Sequence, residues 1–137
     1  MKTKFIVVAV VSVISAVGLT VGKAMQQPKS GELSSSDALR TMRAIDTAEA
    51  NGFHSESNYL SLDQLVRQRL VSADKLGLVL SDSSSATMKN YKVSVVVSTD
   101  GKHFAAALVP NDGCGTALFS DESYLIYEGR VLGCSGR

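Results

Sequence analysis

Cysteine and histidine have the widest chemical range of any side chains here, and each occurs twice in this 137-residue chain, as Cys114, Cys134, His54 and His103. Together they could be assembled into a Cys2His2 zinc set, but neither pair has the short spacing that zinc ligands use. A Cys–His nucleophile pair fares no better, because Gly113-Cys114-Gly115 reads as a turn and no orienting third group is evident. Serine is abundant, yet the chain contains no G-x-S-x-G elbow, no P-loop and no G-x-G-x-x-G. Asp100-Gly101-Lys102-His103 reads as a hairpin turn, since Asp-Gly suits the positive φ of a two-residue type I′ loop. No catalytic set and no cofactor are expected, and the enzyme class is the least supported.

Charge narrows the partners. Lysine and arginine number 14 against 13 aspartates and glutamates. Three of the cations, Lys2, Lys4 and Lys23, flank an apolar run, and the remainder sets 11 cations against 13 anions, a net −2. Nucleic-acid binding needs a clustered basic surface, so nucleic acid is excluded as a partner.

That apolar run, Phe5 to Gly22, carries 13 apolar residues in 18 and no charge. As a helix it would extend roughly 27 Å, just short of a bilayer core of about 30 Å. It is long for a signal peptide and near the minimum for an anchor. Residues 1–22 are therefore read as a signal or membrane-anchor helix, with Lys2 and Lys4 cytoplasmic and the rest outside the inner membrane. If uncleaved, residues 5–22 make the membrane a partner. Pro28 and Gly31 mark residues 23–35 as a linker, and residues 36–137 as the globular domain.

Within that domain the spacing predicts a helix over Asp37–Ala50, stopped by Asn51-Gly52. Leu39, Met42, Ile45 and Ala48 form its apolar face, with Arg40, Arg43, Asp46 and Glu49 turned away. A capping box at Ser61-Leu62-Asp63-Gln64 starts a second helix ending near Leu70, and Ser72–Leu76 adds a turn closed by Gly77. Asp82–Thr87 reads as a loop. From Tyr91 the period becomes two, predicting strands at Tyr91–Val97, His103–Val109, Thr116–Phe119 and Tyr124–Glu128, and a last one at Arg130–Cys134. The expected fold is α+β: an N-terminal apolar helix, then an amphipathic helix packed on a small antiparallel sheet beneath Tyr91, Val93, Val95 and Val97.

In this order of elements the chain resembles the type IV pilin and type II secretion pseudopilin superfamily. The likeness is carried by Ala44–Ala50, Leu60–Leu65, Tyr91–Val95, Phe104–Pro110 and Gly113–Phe119. The prepilin peptidase signature is missing, because no Gly precedes the apolar run and no Glu lies within it. The resemblance implies a pilin-like domain and a non-enzymatic extracytoplasmic structural subunit, envelope-anchored or filament-associated. Its location would be the inner membrane, the periplasm or an extracellular filament. Its partners would be further copies of itself or other pilin-like subunits. The alternative expectation is an exported ligand- or partner-binding module released after signal cleavage.

An even cysteine count in an exported chain favours a Cys114–Cys134 disulfide, which in the loop-entropy model contributes about 3 kcal/mol. Free thiols or an intermolecular bridge are the alternatives. Pseudopilin resemblance also implies a calcium site near the late strands, for which Asn111, Asp112, Asp121 and Glu122 are the oxygen donors available.

Overall fold

The computed structural model describes residues 35–130. The apolar run, almost all of the linker, the expected strand beyond Arg130 and Cys134 lie outside the described residues. Helix α1 spans Ser35–Glu56, with Asp37 in its first turn and His54 in its last, both favourably placed against the helix dipole. It runs six residues past the expected stop. Gly52 does not end it; a Cβ at that position would lie 2.8 Å from Leu60 Cδ1. The glycine makes room for the returning chain, which outweighs a helix-propensity cost of about 1 kcal/mol. The chain leaves the helix at Ser57, whose φ is 59°.

The capping box forms as expected. Ser61 N–H donates to Gln64 Oε1 at 2.9 Å, opening α2 (Leu62–Arg67). The single turn α3 (Ala73–Leu76) is closed by Gly77 at φ 67°.

The remaining elements are strands β1 (Val79–Leu80), β2 (Ser85–Met88), β3 (Tyr91–Val97), β4 (Phe104–Pro110), β5 (Thr116–Asp121) and β6 (Tyr127–Arg130). They form one six-stranded antiparallel meander in sequence order. The expected fold class is corrected here. Among the described residues one long helix precedes a six-stranded sheet, and no helix is long and apolar enough to cross a membrane. The sheet is larger than expected because the serine-rich 81–87 stretch hides a strand. Ala86 and Met88 point inward opposite Val93 and Tyr91, while Ser85 and Thr87 alternate with them. The Asp100-Gly101 turn is likewise wider than a two-residue loop, for Val97 pairs with Phe104 across six residues.

Burial follows the pleat. Tyr91, Val93, Val95, Phe104, Ala106, Leu108 and Leu118 point to one face and are buried. Both main helices lie on that face, α1 chiefly over β4 and β5 and α2 over β3. The expected seat of α1, beneath Tyr91–Val97, is thus shifted by one to two strands. Met42, Ile45, Leu62 and Leu65 carry the helical side of the core and are wholly inaccessible to solvent.

Candidate functional site

Two acidic residues expected on the solvent side of α1 are inside the protein. Asp46 is 7 % exposed and Glu49 is fully buried. Glu49 follows Met42 by seven residues and Ile45 by four, so it belongs to the same face as both. Glu49 Oε2 accepts the Leu60 N–H at 3.0 Å, tying α1 to the chain entering α2. Its other oxygen has no hydrogen bond, and neither do Asp46 Oδ1 and the buried hydroxyl of Ser120 on β5. A buried polar atom left unpaired costs about 1–3 kcal/mol. Three in one neighbourhood are therefore an expensive arrangement for a chain of this size.

Electrostatics agree with the geometry. Burial pushes the Glu49 carboxyl up to about 7, partly offset by the Leu60 N–H and reinforced by Asp46. Burial also raises Asp46, with the Ser120 hydroxyl beside it lowering it and Asp121 raising it. Tyr124, on the β5–β6 connection, is held above the usual phenol range by burial, by the Tyr59 hydroxyl and by Glu49 and Asp46. Its hydroxyl lies 3.2 Å from that of Tyr59. Tyr124 has φ 56°, a left-handed backbone that a bulky side chain rarely adopts and that surrounding contacts must hold in place. Those contacts are aromatic: Phe53, Tyr59, Phe104 and Tyr124 form a chain with successive centroid separations of 4.6, 4.7 and 5.9 Å.

Between α1 and the Tyr124–Ile126 segment runs an open groove of about 670 Å³. Leu39, Ala50, Leu125 and Ile126 supply apolar walls, and Asp46 and Arg43 supply charge.

The opposite face of the sheet has a different character. Register places Ser94, Ala107, Phe119 and Tyr127 in one row across β3–β6, with Val96 and Ala105 in the next. No helix among the described residues covers this face. Val96, Phe119 and Tyr127 are 61 %, 45 % and 52 % exposed. Lys92 and Asp121 stand at diagonally opposite ends of this patch.

The residues singled out for chemistry are not brought together. Asp112 lies in the β4–β5 turn, where its Oδ1 accepts the Cys114 N–H at 2.9 Å, and Asn111 occupies the same turn. Asp121 and Glu122 lie at the far end of β5, separated from that turn by the length of the strand. Asp121 Oδ1 accepts the Ser123 N–H at 2.9 Å, and Glu122 Oε1 meets His103 Nδ1 at 2.9 Å. The length of the strand thus keeps Asn111 and Asp112 apart from Asp121 and Glu122, and no group of three or more metal-ligating side chains forms among the described residues. His54 lies in the last turn of α1 and His103 in the β3–β4 connection, where it meets Glu122, and neither joins a group of three or more metal-ligating side chains among the described residues. Cys114 is exposed in the β4–β5 turn and is not a free thiol; its pairing with Cys134 remains a proposal.

No family model, curated protein or solved structure matches the chain.

Proposed function

We propose that the protein is a non-enzymatic extracytoplasmic structural subunit, held at the envelope through residues 5–22 and associating with further copies through the open face of its sheet. The observation that carries this reading is the row Ser94–Ala107–Phe119–Tyr127 with Val96 and Ala105 beside it. Small side chains at Ser94, Ala105 and Ala107 permit close approach, and the exposed Val96, Phe119 and Tyr127 supply apolar area to bury. The occupant proposed is a second copy of this chain. In a two-fold pair, each Lys92 can face the other copy's Asp121, since the two charges stand on one diagonal of the patch. The resemblance to pilins and pseudopilins supports the same class of role without requiring their processing route.

Cross-linking tests this directly. Full-chain protein carrying Ala107→Cys is expected to give a dimer with a short bismaleimide, whereas Gln68→Cys, on an exposed site at the end of α2, is not. A monomer from both variants would overturn the reading.

The groove beside α1 favours the second reading, an exported module that binds a ligand or partner. Such a module would remain monomeric at the sheet face, so the same experiment separates the two.

A further inference from the structure

Opposite the association face, the buried acidic pair and the chain segment above it have no part in the proposed assembly. Asp46 and Glu49 lie one helical turn apart, each with an oxygen lacking a hydrogen bond, and Ser120 adds a third such oxygen from β5. Ionised carboxylates only accept hydrogen bonds, so two carboxylates cannot satisfy one another. A single proton changes that, converting one carboxyl into a donor for a neighbouring oxygen.

Above them runs the Ser123–Ile126 arm, tied to the end of β5 by the Tyr124 N–H to Asp121 O and Ser123 N–H to Asp121 Oδ1 bonds and to the core by Ile126, with a strained backbone at its centre. Tyr124 sits at φ 56°, its hydroxyl rests against Tyr59, and its ring packs on Phe104. Leu125 is 59 % exposed. We propose that the Asp46–Glu49 pair and the Ser123–Ile126 arm form a proton-operated clasp on α1. The clasp is closed while the pair carries one proton and is released when that proton passes to solvent.

The groups facing the pair leave no other neutralising partner. Around the acids, the chain after α1 presents the Leu60 N–H and the Tyr59 hydroxyl, β5 presents Ser120 and Asp121, and the arm presents Tyr124. Arg43 lines the groove with Asp46 but forms no ion pair with it. With the proton gone, two anions share a buried site. Opening the strained arm admits water to them at the least structural cost, because β5 and α1 stay paired and packed. The upward displacement of both carboxyls by burial is consistent with this order of events.

Hydrogen exchange of the full chain at pH 5.5 and 8.5, corrected for intrinsic exchange, tests the clasp. Amides of residues 122–127 are expected to lose at least tenfold more protection at pH 8.5 than those of β2 and β3. Glu49→Gln should abolish that difference by keeping a neutral side chain at both pH values. If Glu49→Gln fails to fold, Asp46→Asn serves the same purpose. Equal loss of protection across the sheet, or a pH step unchanged in a folded variant, would overturn the proposal.

Discussion

Unfolding free energy is expected to fall by up to about 3 kcal/mol as pH rises from 4.5 to 8, and Glu49→Gln is expected to remove most of that fall. The folded-state carboxyl of Glu49 is raised from 4.5 to about 7 by burial. Between those values the folded chain binds more protons than the unfolded one. The stabilisation is therefore complete below the unfolded value and is lost as pH rises through the folded one. Asp63, Asp82, Asp100 and Asp121 are lowered, first of all by hydrogen bonds from neighbouring serines, so their contributions are lost at the acid end. His103 is raised by its hydrogen bond to Glu122, but the pair is exposed and its effect is small. Urea unfolding followed by circular dichroism across this range measures the effect. A flat profile in the parent protein, or an unaltered slope in Glu49→Gln, would show that Glu49 is ionised in the folded state at little cost.

Ile45→Ala is expected to cost about 2–5 kcal/mol, a large share of the 5–15 kcal/mol that ordinary domains possess. Ile45 is wholly buried on the α1 face that lies over β4 and β5. Truncation removes its apolar contacts and leaves a cavity beneath the helix. The parallel substitution Leu39→Ala, at a partly buried position beside the groove, should cost much less. Midpoints of urea unfolding give both values. Equal midpoints for Ile45→Ala and the parent would place the α1 face in solvent.

The core of this fold is legible where a periodic pattern coincides with burial. Leu39, Met42, Ile45 and Ala48 mark α1 at helical spacing, and Tyr91, Val93, Val95 and Val97 mark β3 by alternation, with Val96 as the exception. Strand β2 escapes detection because Ser85 and Thr87 alternate with only two apolar residues, and a run of serines resembles a loop. The end of α1 is misplaced because Gly52 serves close packing against Leu60, a tertiary contact that Asn-Gly does not announce. The acidic pair is the instructive failure. Acidic residues are rarely buried, and that expectation overrides a seven-residue spacing from Met42 that places Glu49 on the core face. Counting positions without regard to residue type would have found it. The four calcium candidates are not brought together for an elementary reason, since residues on either side of a six-residue strand lie at opposite ends of it.

Association through the open sheet face is the centre of this account, and sedimentation velocity of the full chain in a mild detergent tests it most directly. The parent protein is expected to sediment as a dimer or larger species, and Phe119→Glu as a monomer with unchanged secondary structure. Phe119 is exposed at the middle of the Ser94–Tyr127 row, so a charge there opposes burial without disturbing the core. A monomeric parent, or a Phe119→Glu variant that associates as the parent does, would contradict it.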